Sequence, residues 1–269
     1  MQNIVLFDLD GTLTPAREAM QDDMLESLSA LHTYTDIAIV TGSPFEYVSE
    51  QASEFLYQFD AHPDAGVLRI MPCNGTQLFV STGHGYEKTE AADMKATLGD
   101  EIYRRLIWVI SNLQINLFEG IDIPLSGNFI SYRGSMLNWC MIGRDATPEE
   151  RKTFVDLDSK FKIRERISKA FQDNLDEFKL EGIEHAIGGN TSIDVFPNGW
   201  DKRYSLRHVQ EYSDVYFIGD RCDPGGNDHA LYSVIDESRR FKTSGPEQTK
   251  EIIGGLVKKF KEDKQSNVT

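Results

Sequence analysis

The chain is poor in cysteine: three residues in 269, Cys73, Cys140 and Cys222, with no C-x-x-C spacing anywhere. So sparse and odd a set excludes a disulfide framework and a zinc site of paired cysteines, and reads as free thiols in a reducing compartment. Positive charge is also short. Against 43 acidic residues stand 28 lysines and arginines, a net charge of −15, which argues against nucleic acid or an anionic membrane as a general partner. No apolar run is long enough to span a bilayer: Leu106 to Phe118 is the longest uncharged one, and Asn112, Gln114 and Asn116 interrupt it. The N-terminus has neither the basic flank nor the apolar core of a signal peptide, so a cytoplasmic location is expected. No internal repeat is found. What remains is ordinary soluble composition, 40% hydrophobic and 26% charged, in a chain long enough for one large domain or two modest ones.

Phe7-Asp8-Leu9-Asp10-Gly11-Thr12-Leu13-Thr14 is the stretch on which chemistry centres. It follows Ile4-Val5-Leu6-Phe7, a short branched apolar run that suits a buried strand. Two carboxylates two residues apart at a strand end repel one another unless a divalent cation neutralises them, and hard oxygen ligands favour Mg²⁺. One acid can then act as nucleophile and the other carry a proton. The plainer alternative is a turn at Asp10-Gly11-Thr12 with no further role.

Along the chain, Met20, Met24, Leu25, Leu28 and Leu31 recur at helical spacing, and Ile37 to Val40 is a second buried strand. Thr41-Gly42-Ser43-Pro44-Phe45-Glu46 reads as a capping box with Pro44 at the first helical position, and its hydroxyls and helix N-terminus suit a phosphate. Strand and helix alternating in this way imply parallel strands with crossovers. The texture changes near residue 65. Asn74-Gly75 suggests a hairpin, Gly83-His84-Gly85 a hinge, and Glu87 to Phe118 is mostly helix-forming. Asn128–Arg133 with Met136–Ile142, and Ile183–Ile187 with Ser192–Phe196, read as antiparallel hairpins. Between them Thr147-Pro148-Glu149-Glu150 opens a charged helix expected to run to about Leu175. The parallel pattern resumes after Pro197, with a strand Val215–Ile218 ending in Gly219-Asp220. The expected organisation is α/β: a Rossmann-like parallel core, residues 1–82 and 197–269, with an α+β domain, residues 83–196, inserted in it.

Asp8 and Asp10, Thr41, Lys202, and Asp220 with Asn227 and Asp228 all fall at strand ends or helix starts of that core, where open α/β sheets bind ligands. Asp8, Asp220 and the Asp10 backbone carbonyl would form an oxygen cage for Mg²⁺. Thr41 and Lys202 would hold the oxygens of a transferring phosphoryl group.

These four stretches resemble the signature motifs of the haloacid dehalogenase superfamily. Longer strings resemble the eukaryotic-type phosphomannomutases: Thr14-Pro15-Ala16-Arg17, Arg133-Gly134-Ser135-Met136-Leu137-Asn138, Ile142-Gly143-Arg144, Asp194-Val195-Phe196-Pro197, Gly199-Trp200-Asp201-Lys202-Arg203-Tyr204 and Pro224-Gly225-Gly226-Asn227-Asp228-His229. The resemblance implies a haloacid dehalogenase-like core with an inserted cap, interconverting mannose 6-phosphate and mannose 1-phosphate. It implies Asp8 as phosphorylated nucleophile, Asp10 as general acid and base, and Asp8, Asp10 and Asp220 as Mg²⁺ ligands. Arg17, Arg133, Arg144 and Arg151, with Ser192 and Asp194, would bind the sugar phosphate, and a hexose 1,6-bisphosphate would be activator and intermediate. A homodimer through the cap is implied as well. A capped sugar-phosphate phosphatase using the same Asp8 is the alternative, but a mutase needs a second anion site, and arginine suits such a grip. The chain departs from the family pattern at Cys73, where an acidic residue is usual, and over Ala230 to Gly245, so a second cation site is not carried over.

Overall fold

The structure, a computed structural model, describes residues 3–60, 67–116 and 122–266. In chain order the elements are β1 (Asn3–Phe7), α1 (Asp22–His32), β2 (Asp36–Val40), α2 (Phe45–Gln51), α3 (Ser53–Asp60), β3 (Leu68–Met71), β4 (Gln77–Ser81) and β5 (Tyr86–Ala91). Next come α4 (Met94–Leu98), α5 (Asp100–Asn116), β6 (Ile130–Tyr132), β7 (Leu137–Cys140), α6 (Pro148–Phe161), α7 (Ile163–Glu177), β8 (Ile183–Gly188) and β9 (Ser192–Pro197). A 3-10 turn (Lys202–His208), β10 (Asp214–Gly219), α8 (His229–Val234), β11 (Arg240–Lys242) and α9 (Pro246–Ser266) complete the chain.

Two compact units emerge: residues 1–91, 201–224 and 228–269, and residues 92–200 with 225–227. The first holds a seven-stranded sheet in the order β11-β10-β1-β2-β3-β4-β5, parallel from β11 to β3 and antiparallel beyond. The pleat sends alternate side chains to opposite faces. Val5, Phe7, Ile37 and Ile39 pack with α1, α3 and α9 on one face, whereas Ile4, Leu6, Ala38 and Val40 pack with Val209, Phe217 and Leu231 on the other. Both faces are covered, so after their polar first residues β1 and β2 are apolar continuously, Ile4 to Phe7 and Ile37 to Val40, instead of alternating. The second unit holds a four-stranded antiparallel sheet, β6-β7-β9-β8, and helices α4 to α7. Its core includes Trp139, Phe154 and Phe171. Trp139 donates its indole N–H to Gln114 Oε1 at 2.6 Å, and Gln114 in turn donates to the Met141 carbonyl, so this buried polar pair is satisfied.

Four expectations change. Residues 87–91 are strand, not helix, since β5 pairs antiparallel with β4. It is an exposed edge strand, Glu87-Lys88-Thr89-Glu90, whose charges protect an open edge and leave no apolar period to read. That pairing moves the first division from residue 82 to residue 91, and the second lies at residue 200 instead of 196. The charged helix from Pro148 breaks at Lys162, which adopts φ 53°, and the break is held by Asp158, which accepts from the Arg164 backbone N–H and pairs with its guanidinium. Finally, α2 starts at Phe45 with Pro44 as its uncapped flank, so Ser43 is no N-cap. Residues 117 and 118 of the expected helix lie outside the described residues. The Thr147 capping box is present, with both reciprocal bonds formed.

Candidate active site

Parallel pairing decides which side chains meet. Phe7 lies opposite both Ile39 and Ile218, so the residues that leave the C-terminal ends of three neighbouring strands are Asp8, Thr41 and Asp220. Asp8 is anchored by its N–H on the Ile218 carbonyl at 3.0 Å. After it the chain folds back on itself: Gly11 donates to Thr14 and Leu13 to Leu9. Gly11 has φ 86°, and a Cβ there would come within 2.5 Å of Asp220 Oδ2; side-chain bulk would therefore expel Asp220 from the cluster.

Lys202 sits at the centre of that cluster, fully buried at the start of the 3-10 turn that Asp201 caps through the Arg203 N–H. Its ammonium bridges Asp8 Oδ1 and Asp228 Oδ1, the latter at 2.6 Å. Carboxylate oxygens of Asp8, Asp220 and Asp228 lie within 4.8 Å of one another. Two carboxylates thus share one lysine, with the third beside them. Burial, and then the Asp228 charge, push the Asp8 carboxyl well above the usual range against the opposing Lys202 charge. Asp220 is pushed up to about 6 by burial and by Asp228. Burial works against the Lys202 charge too, but the carboxylates of Asp228 and Asp8 outweigh it and hold the ammonium protonated.

Such an excess of buried negative charge fits a divalent cation. Asp220 Oδ1 is buried with no hydrogen-bond partner among the described residues. Asp228 differs: Oδ1 takes Lys202 and Oδ2 the Arg221 N–H at 3.0 Å, so it is a counter-charge and not a spare ligand. Although it precedes α8, it makes no side-chain cap there. Asp10 is turned another way. Its Oδ1 accepts from the Arg17 N–H and from Gln51 Nε2, each at 2.8 Å. Buried Thr41 accepts the Ser43 N–H on its hydroxyl at 3.1 Å, and its carbonyl accepts from Asn74. Arg17 is exposed, with its guanidinium 5.9 Å from the Tyr47 ring centroid.

In the second unit the register sets Asn138 opposite Asp194 and Cys140 opposite Ser192. Asn138, on which sequence reasoning placed no role, is the hub. Its amide donates to Asp194 at 2.6 Å, and its carbonyl accepts from Arg144 at 2.9 Å and from Ser192 at 3.5 Å. Arg144 is aimed by its own backbone, which bonds the Asn128 carbonyl. That approach is possible because a Cβ on Gly143, at φ 88°, would fall 1.9 Å from the Gly127 carbonyl oxygen. Arg151 lies beside the same loop, donating to the carbonyls of Ala146 and Arg144 and to Thr191. Arg133 sits in the β6–β7 turn, its N–H on the Met136 carbonyl. The structure therefore gathers Arg144, Asp194 and Ser192 around Asn138, Arg151 next to them, and Arg133 in the connecting turn. Gln51 and Asn138 carried no sequence signal of their own, since neither is titratable and both acquire partners only through tertiary pairing.

A family model described as eukaryotic phosphomannomutase matches residues 24–259. The chain belongs to that family. A probable phosphomannomutase of Caenorhabditis elegans is 32% identical over 96% of this chain and 97% of its own length. Phosphomannomutase 2 of Dictyostelium discoideum is 35% identical over 93% and 94%, and the phosphomannomutase of Encephalitozoon cuniculi 35% over 96% and 95%. Among solved structures, an IMP-bound mutant of the Plasmodium falciparum IMP-nucleotidase superposes with TM-score 0.71 at 14% identity, covering 95% of this chain and 68% of that one. At such identity the likeness is one of fold, a parallel-sheet core with an inserted α+β unit. For this family member, no helix among the described residues is long and apolar enough to cross a membrane.

Proposed function

We propose that the protein is a phosphomannomutase, an isomerase that interconverts mannose 6-phosphate and mannose 1-phosphate and so supplies mannose 1-phosphate for GDP-mannose synthesis. One observation carries the reading beyond family likeness: buried Lys202 joins Asp8 to Asp228 while Asp220 stands within 4.8 Å with an unpartnered oxygen. That is a nucleophile with one counter-charge in place and room in its charge balance for a cation.

Asp8 attacks phosphorus, and the bond from phosphorus to the sugar oxygen breaks as the Asp8–phosphoryl bond forms. Asp10 delivers its proton to the departing oxygen and later removes one from the hydroxyl that attacks the phospho-aspartate. Thr41 and Lys202 hold phosphoryl oxygens. Mg²⁺ held by Asp8, Asp220 and the Asp10 carbonyl would supply positive charge where the phosphoryl group accumulates negative charge. In the second unit, Arg133, Arg144 and Arg151 are assigned to binding the sugar phosphate's anionic groups, with Ser192 and Asp194 on its hydroxyls; in the first unit, Arg17 is assigned to substrate binding. A hexose 1,6-bisphosphate primes Asp8 and is formed at mid-cycle, so each phosphate must meet Asp8 in turn. The reading extends to a homodimer through the second unit and a cytoplasmic location, as the family resemblance implies.

The test is a mutase assay on mannose 1-phosphate with Mg²⁺, with and without hexose 1,6-bisphosphate, while free phosphate is followed in parallel. Isomer interconversion that depends on the bisphosphate and outruns phosphate release is expected. Faster release of inorganic phosphate would instead make the protein a sugar-phosphate phosphatase.

A further inference from the structure

Asp10 Oδ1 is claimed twice, by the Arg17 N–H and by Gln51 Nε2, while Oδ2 has no hydrogen-bond partner among the described residues. The two claims are linked. Gln51, at the last position of α2, also accepts the Met20 N–H on its backbone carbonyl at 2.7 Å, so one residue ties down both the carboxylate and the loop that delivers Arg17 to it. Arg17 adopts φ 65°, a left-handed conformation that a non-glycine residue keeps only where its surroundings insist. Gln51 itself is 6% exposed, and its Oε1 is buried without a partner among the described residues. Reversing the amide would relieve neither end, for it would set an oxygen against the Asp10 carboxylate. An orphaned buried acceptor is costly, so the orientation is dictated by Asp10 and not by the packing around Gln51.

We propose that Gln51 is a positioning residue for proton transfer: it fixes Asp10 through Oδ1 so that Oδ2 alone carries the proton to and from the sugar oxygen. The proposal rests on the reading of Asp10 as general acid and base. It separates two half-steps that a structural role would affect alike. When the leaving group is a sugar alkoxide, the bond to phosphorus breaks only as Oδ2 hands over its proton. When it is p-nitrophenolate, the electron pair leaves with the oxygen as a stable anion and no proton is needed.

The experiment compares Gln51→Met with the unaltered protein in Mg²⁺, measuring the first-turnover burst of p-nitrophenolate from p-nitrophenyl phosphate and the steady-state mutase reaction on mannose 1-phosphate. The mutase kcat is expected to fall about tenfold to a hundredfold, with KM within twofold, because general acid–base catalysis contributes about 10²–10⁴ and only its alignment is lost. The p-nitrophenolate burst rate is expected to stay within twofold. An equal fall in both, or no fall in either, overturns the proposal. Should Gln51→Met fail to fold, Gln51→Asn keeps the amide but retracts it by one methylene, and the same split is required of it. Asp10→Asn run alongside tells the two readings apart: if it spares the mutase reaction, the assignment of Asp10 is at fault, whereas if it abolishes that reaction and Gln51→Met does not slow it, Gln51 has no positioning role.

Discussion

The two polar clusters of this chain are built on opposite principles. In the first unit, Asp8, Lys202 and Asp228 are almost wholly buried, and two carboxylates divide one ammonium with a third, Asp220, beside them. In the second, Arg144 is half-buried, and Asn138 hands hydrogen bonds from Arg144 to Asp194 until each group shown there has a partner. The first cluster is electrically incomplete by itself, which suits a site that takes up a cation and then a phosphoryl group. The second is complete by itself, which suits a surface that must hold arginines in place between visits of a ligand. Catalysis needs the imbalance; recognition needs the order.

The strongest way to break this contrast is Asp8→Asn. Turnover should vanish in the mutase assay while the circular dichroism spectrum is unchanged. The metal-free thermal midpoint should hold or rise, because a neutral side chain relieves the carboxylate excess. Next in size is Lys202→Met, which strands buried carboxylates without their cation. A loss of about 3–5 kcal/mol is expected in urea denaturation, the usual penalty for breaking a buried ion pair from one side. A variant as stable as the parent would mean that Asp8 and Asp228 are neutral and the cluster uncharged. Adding Mg²⁺ should stabilise the unaltered protein by about 2.7 kcal/mol at a hundred times its dissociation constant, and chelation should reverse this. Asp220→Asn should abolish most of that gain, whereas Asp194→Asn, in the other cluster, should leave it intact.

Arg144→Ala sharpens the comparison from the second unit. It should weaken mannose 1-phosphate binding roughly tenfold by calorimetry, the scale of one lost charged hydrogen bond, while lowering stability by no more than about 1 kcal/mol. Unchanged affinity would remove Arg144 from the site. The smallest effect is expected from Thr147→Ala, which removes the side-chain cap of α6 but keeps the backbone carbonyl that accepts the Arg151 N–H. It should cost about 1 kcal/mol in stability and nothing in kcat/KM.

How far this site was legible in the amino acids follows from the range of the forces involved. Asp8, Lys202 and Asp220 could be picked out because each stands at the end of an apolar run or at a capped turn, and those signals are local. Asp228 stands just before a helix, where a carboxylate is ordinarily a cap; only the fold turns it to Lys202. Gln51 and Asn138 were silent, for an uncharged amide acquires its role from whatever tertiary pairing sets against it. The missed strand β5 has the same origin. An edge strand exposed on both faces carries no hydrophobic period, so what makes it a strand is β4 beside it.

The residues alone determined the alternation of buried strands and amphipathic helices, the acidic pair at the end of β1 and the family to which the motifs point. Burial of short apolar runs and the capping of helix ends are properties of neighbours in the chain. Tertiary structure decided which oxygen of Asp10 is held, which carboxylate neutralises Lys202 and where the first unit's sheet ends. Those outcomes depend on register across strands far apart in sequence, and no local pattern encodes register.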